Sequence, residues 1–257
     1  MAAEFVGNGV PLSTVGLTTV SDQVGIQAAE IWSVLHVETS GCGFLVDRRP
    51  QILFERHIFS RQTGGKCDVT NPDISNRTPG GYGASGAHQY DRLAEAIKLD
   101  REAALRSASW GIGQIMGFHA EDLGYVHVEE MVAAMVESED NQLVAIARFL
   151  KNNGLDEKLR THNWAAFARG YNGANYAQNS YDRKLQAAFA SYSVLLPDLN
   201  VRAAQLLLTY KGFAPGRVDG QIGPRTRSAL SEFQRTVGLP VTSEADAATL
   251  EKLRFNE

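Results

Sequence analysis

Apolar residues recur at helical intervals along most of this chain, and short clusters of Gly, Asn and Pro interrupt them. A chain with that pattern must bury apolar stripes by packing helix on helix. Ile31, Val34, Leu35 and Glu38 fall at i, i+3, i+4 and i+7 on one face of a helix expected over 23–37, which Gly41 and Gly43 stop. Further helices are expected over 90–106, 128–135, 141–150, from 164 to 170, and over 181–195. Residues 50–59 (PQILFERHIF) are rich in branched and aromatic side chains and read as a strand. Residues 107–118 break the helical pattern with Gly111, Gly113 and Gly117. The expected fold class is mainly α, with a small sheet or hairpin near residues 44–60 and 107–116. Residues 63–86 read as a long surface loop, of the kind that is usually functional or mobile.

The chain has 257 residues, more than one small domain needs. Pro197-Asp198 marks the expected boundary, dividing it into domains 1–196 and 197–257. The last stretch has three helices of its own, over 201–210, 226–237 and 244–253, which suffice for a minimal bundle. A faint repeat runs through it: Val218-Asp219-Gly220 followed by Thr226, then Val241-Thr242-Ser243 followed by Thr249.

Composition excludes several classes. With 44% hydrophobic and 21% charged residues the chain is expected to fold rather than stay disordered. A net charge of −4 offers no basic face for nucleic acid. No apolar run is long enough to span a membrane, so no membrane insertion is expected. The start, Met1-Ala2-Ala3-Glu4-Phe5, lacks the basic and apolar regions of a secretory signal. Cys42 and Cys67 are too few for a disulfide scaffold and are expected as reduced thiols, a bridge between them being the alternative. No CxxC or HExxH spacing is present, so no metal and no cofactor is expected.

Glu38 is the strongest catalytic candidate. It continues an apolar helix face and stands at the helix end, where partial desolvation raises a carboxyl pKa. A carboxyl still protonated near neutral pH can protonate a leaving glycosidic oxygen. The plain alternative is a helix-end glutamate reaching solvent.

Three segments follow one another in order: Val37-Glu38-Thr39-Ser40-Gly41, then Trp110-Gly111-Ile112-Gly113-Gln114-Ile115-Met116, then Gly170-Tyr171-Asn172-Gly173. The set resembles the goose-type lysozyme and lytic transglycosylase superfamily. Residues 10–193, with ILFERHIF, NPDISNRTPGGYG and ARGYNG, resemble more closely the N-acetylmuramidase family found in phage endolysins. That resemblance implies a lysozyme-like α+β domain with Glu38 as general acid. It implies that Ser40, Gln114, Ile115 and Asn172 line the substrate, Gln114 and the backbone beside it meeting the sugar amides. Tyr171 and Asn172 would hold the ring near the scissile bond or orient Glu38, since a Tyr hydroxyl near a carboxyl tunes it by hydrogen bonding. Trp110 and Met116 read equally as cleft wall or core. For a second carboxylate the candidates are Glu55, in the expected strand, and Asp47; structural ion pairs for both are the alternative. His57 and His88 are expected to be structural.

The segment Gly216-Arg217-Val218-Asp219-Gly220-Gln221-Ile222-Gly223-Pro224-Arg225-Thr226, then Ala229-Leu230 and Phe233-Gln234, resembles the peptidoglycan-binding domain 1 family, a three-helix bundle. It implies sugar contact around Asp219, Gly220 and Tyr210, with a structural role for Asp219 as the alternative. Together the resemblances imply a monomeric bacteriolytic endolysin acting on peptidoglycan. It would be held in the host cytoplasm until a holin releases it to the periplasm. A lytic transglycosylase giving 1,6-anhydro products, or a non-catalytic wall-binding virion protein, remain the alternatives.

Overall fold

The computed structural model describes residues 4–38, 42–173 and 176–255 and, of Glu38, Tyr176 and Gln178, the backbone only. Its elements run α1 (Thr14–Val24), α2 (Ala28–Glu38), β1 (Ile52–Phe54), α3 (Arg56–Gln62), α4 (His88–Leu99), α5 (Arg101–Arg106), β2 (Ala108–Trp110), β3 (Ile115–Met116), α6 (Val128–Glu137), α7 (Glu139–Asn152), α8 (Leu155–Arg160), α9 (Trp164–Asn172), α10 (Tyr181–Tyr192), α11 (Leu199–Tyr210), α12 (Pro224–Thr236) and α13 (Ala247–Arg254). The architecture is mainly α with one small antiparallel sheet, as the periodicity implied.

Two compact units divide the chain: Met1–Gly9 with Gly43–Asn152, and Val10–Cys42 with Asn153–Glu257. The first holds the sheet, ordered β1-β2-β3, with Ile52 opposite Trp110 and Trp110 opposite Ile115. Its core gathers Phe54, Phe59, Leu93, Leu105, Trp110, Met131, Met135 and Leu143, all buried. Buried Trp110 donates its indole N–H to the Leu105 carbonyl at 3.1 Å, so the residue is core rather than cleft wall. In the second unit α2 packs along α10, and α11–α13 form a bundle around Ala204, Leu208, Leu230, Phe233 and Leu253.

Three expected elements differ, each for a local reason. The helix expected over 23–37 starts only at Ala28, because Gly25, at φ 71°, ends a separate helix α1 that the spacing did not reveal, donating its N–H to the Ser21 carbonyl. The run over 90–106 breaks at Asp100, whose carboxylate accepts the Ala103 N–H and starts α5. The expected strand over 50–59 is only three residues long, because the chain turns at Glu55 into α3. Glu55 is therefore a helix N-cap rather than a strand residue. The 63–86 segment is a loop, and α4 fastens it: Gln89 donates to Tyr82 O and Ala84 O at 2.8 and 2.7 Å, and Arg92 donates to Asp73 O at 2.6 Å. Cys42 and Cys67 are half-buried thiols.

Candidate active site

Helix α2 exists to bury Ile31, Trp32, Val34 and Leu35, and that burial places Glu38 as its last residue. Its start is clamped. The Glu30 carboxylate accepts the Gln27 N–H at 3.1 Å and lies 2.8 Å from His162 Nε2. His162 stands just before α9 and stacks on Trp164 at 5.1 Å. Tyr171 and Asn172 close α9, both half-buried, with the Tyr171 ring stacked on Phe167 at 5.4 Å. The Glu38 side chain and Ser40 lie outside the described residues.

In the other unit the β2–β3 hairpin carries Gln114 at φ 49°, a left-handed position that suits a tight turn. Gln114 donates both amide N–H groups within the protein, to Gly111 O at 2.9 Å and Gln51 O at 3.3 Å. Its oxygen accepts the Ser109 hydroxyl at 2.9 Å. The side chain therefore shapes the hairpin, and its own donors are taken. Ile115, expected against the substrate, is 3% exposed and packs in the sheet opposite Trp110. The strand pairing turns its side chain inward.

Two polar residues that the sequence reading missed hold this region. Glu139 and Gln142, on the first turn of α7, are buried. Glu139 accepts the Gly43 N–H at 2.9 Å, and Gln142 accepts the Ile112 N–H at 2.7 Å while donating to Met135 O. Gly43 and Gly111 must be glycine here, because a Cβ on either would overlap the Gln142 amide. Their signal in the sequence is polar residues at helical spacing beside Leu143 and Ile146, which alone does not separate a buried role from a solvent-facing one.

Glu55 is the carboxylate that the structure sets apart. As N-cap of α3 its side chain takes no backbone N–H. Its Oε2 lies 3.0 Å from His57 Nδ1, yet neither atom has hydrogen-bond geometry with any described group. Burial pushes its pKa up, opposed first by the charge of His57 and then by the nearby Tyr82 and His57 side chains. Asp47 differs. Burial works to raise it, but Arg49 prevails through hydrogen bonds and charge and holds it below the usual carboxylate range. Its Oδ2 lies 2.6 Å from Arg49 Nη2 and accepts the Nε N–H at 2.8 Å, its Oδ1 accepts the Arg49 backbone N–H at 3.2 Å, and the guanidinium lies over the Tyr90 ring. Asp47 is thus a structural ion pair in a turn. Among the described residues no three His, Cys, Asp or Glu side chains gather as a metal site.

In the C-terminal bundle the loop after α11 is built around Gln205. The Gln205 oxygen accepts the Asp219 and Gly220 N–H groups, and its nitrogen donates to Asp219 Oδ1, Gln221 O and Thr226 Oγ1. Asp219 also accepts the Gln221 N–H at 3.0 Å. Gly220 is buried, and Tyr210 packs half-buried on the bundle core. Asp219 and Gly220 therefore hold the turn together, the structural role given above as the alternative to sugar contact.

The comparisons agree with this architecture. The chain superposes on the crystal structure of the Burkholderia AP3 phage endolysin with a TM-score of 0.66 and 43% identity, over 71% of each chain. The localization factor PodJL from two strains of Caulobacter vibrioides is 36% identical over 67 residues, 26% of this chain; the chain spans only 7% of the length of those relatives. The peptidoglycan binding domain profile matches residues 197–253, where the bundle lies. The N-acetylmuramidase profile matches residues 27–193, well over half of the chain, from before Glu38 to beyond Asn172. The protein is therefore a cell-wall lytic enzyme that hydrolyses peptidoglycan, and it belongs to the N-acetylmuramidase family.

Proposed function

We propose that this enzyme hydrolyses the β-1,4 bond between N-acetylmuramic acid and N-acetylglucosamine, with Glu38 as general acid. The observation that carries the reading is the position of Glu38 as the last residue of α2, inside the matched segment. The carbonyl end of a helix repels a carboxylate, which favours the protonated acid. Glu38 would give its proton to the leaving oxygen as the bond breaks, and Glu55 is the second carboxylate, taking a proton from the attacking water. Burial of Glu55, which raises its proton affinity, suits that role. Tyr171 and Asn172 hold the sugar ring or orient Glu38. Gln114 supports the hairpin whose backbone meets the sugar amides.

Residues 1–196 are the catalytic domain and 197–257 the wall-binding domain. The protein acts as a monomeric phage endolysin, reaching the wall after a holin opens the host membrane. The support is the likeness to a phage endolysin together with the absence, among the described residues, of any helix long and apolar enough to cross a membrane.

Mass spectrometry of purified peptidoglycan digested by wild type and by Glu38→Gln tests the reading. Reducing muramic-acid ends from wild type, absent with the variant, are expected. Anhydro ends would replace hydrolysis by transglycosylation. Cleaved stem peptides, or equal products from both proteins, would overturn the assignment.

A further inference from the structure

Helix α11 is enclosed on every side, Val201 to Leu208 all being buried. The bundle core accounts for one face, with Ala203, Ala204, Leu207 and Leu208. Arg202 lies off that face and is 0% exposed, so something outside the three helices covers it. Its guanidinium carbon is 5.6 Å from the ring centre of Trp32 on α2, itself 5% exposed. Arginine suits such a place, because its weakly hydrated planar cation stacks on an aromatic face.

The same seam continues toward the end of α2. Tyr192 of α10 packs its ring 6.3 Å from Trp32, and its hydroxyl is 2.9 Å from His36 Nδ1. Burial and then the positive charge of Arg217 lower the His36 pKa, while Asp219 raises it; burial and Asp219 raise Tyr192. Arg217 and Asp219 belong to the Gln205-built loop, so the charges of this loop reach His36 on α2 and Tyr192 on α10. The connection between α10 and α11 is short, Ser193 to Asp198, and each residue spans at most about 3.5 Å. Gly220 packs so closely on Pro197 and Asp198 that an added Cβ would come within 2.7 Å of Pro197 Cβ.

We propose that the C-terminal module is a positioning part of the catalytic domain rather than a loose tether: docked on Trp32, His36 and Tyr192, it holds the end of α2 and with it Glu38. His36 precedes Glu38 by two residues, so a displacement at the seam reaches the acid within the same helical turn. Displacing a reacting group by about 1 Å can lower a rate by ~10²-fold. A loose tether would act differently, raising local enzyme concentration only at an insoluble polymer. The inference rests on the reading of Glu38 as the acid.

The test uses the full chain, soluble uncrosslinked glycan oligomers from peptidoglycan, and two variants. Arg202→Met keeps the volume and removes the cation; Arg217→Glu lies at an exposed position and leaves the bundle core untouched. Both are expected to lower kcat roughly tenfold, within the range that misplacement produces, with KM nearly unchanged. Arg217→Glu is also expected to raise the His36 pKa, read by NMR titration of its ring, and this readout remains if Arg202→Met does not fold. An unchanged His36 titration would show that the docked seam does not exist in solution. A shifted His36 with unchanged kcat would show docking without positioning; either result overturns the proposal. Loss of the functional reading looks different: wild type fails to cleave the oligomers, or Glu38→Gln cleaves them normally.

Discussion

In the C-terminal bundle the two buried glutamines leave no amide atom unanswered, whereas beside α3 two buried polar atoms, Glu55 Oε2 and His57 Nδ1, face each other without hydrogen-bond geometry. Gln234 repeats the plan of Gln205. Its oxygen accepts the Ser243 N–H, and its nitrogen donates to Thr242 Oγ1, Glu244 O and Thr249 Oγ1. The partners match position for position: 219 with 242, 220 with 243, 221 with 244, 226 with 249. Buried polar groups with all partners in place specify a loop. A buried carboxylate left with an ill-aligned partner costs stability and marks a site of chemistry.

The largest expected effect is on the unsatisfied side of this comparison. Glu55→Gln should lower turnover by ~10²-fold or more, the scale of general-base loss. It should also raise the melting temperature at neutral pH. Because the folded pKa of Glu55 is raised, its favourable contribution is complete below the ordinary value of about 4.3 and is lost as pH rises through the folded pKa. The gain of the Gln variant should therefore shrink on acidification. Thermal melts across pH 4 to 8, with turnover on soluble glycan, check both parts; a Gln variant that is less stable at neutral pH would place Glu55 with the structural carboxylates.

Gln205→Ala breaks the satisfied side. It orphans the Asp219 and Gly220 N–H groups in a buried loop, at about 1–3 kcal/mol for a lost buried partner. Gln234→Ala orphans one backbone N–H, at Ser243, and should destabilise less. Urea unfolding of the two variants ranks them, and equal losses would undo the distinction.

Comparable to the loss of one buried partner, Gly220→Ser is expected to cost about 1–3 kcal/mol, since φ is 73° and the new Cβ meets Pro197. The matching change at the second turn, Ser243→Gly, should be nearly neutral, within about 0.5 kcal/mol. It relieves a left-handed serine at φ 61° but loses the 2.6 Å contact with the Ser231 hydroxyl, two terms of similar size. A large loss from Ser243→Gly would mean that the second turn is not the open counterpart of the first.

Much of this was legible in the chain itself. The helices after residue 196 fall within three residues of their expected starts and ends, because short amphipathic helices with turn signals between them carry local information. The repeat was visible at Val218-Asp219-Gly220 and Val241-Thr242-Ser243, but not its cause, since Gln205 and Gln234 act over 14 to 21 and 8 to 15 residues. Glu55 was visible as a candidate, though in the wrong element. Asp47 and Glu55 look alike as letters and differ by neighbours, Arg49 for one and His57 with Tyr82 for the other. Ile115 matched a motif, yet strand pairing buries it.

The sequence alone determined that the chain is helical with one small sheet, that three helices follow Pro197, and that Glu38 ends a helix. Those properties depend on spacing and turn residues that act within a few positions. Only the tertiary structure decided that Asp219 and Gly220 serve the turn, that Glu139 and Gln142 pin the glycine segments, and that Arg202 lies against Trp32. Each of these is a pairing between residues far apart in the chain. Burial is what gives such pairings their energy, by removing the water that would otherwise satisfy the same groups.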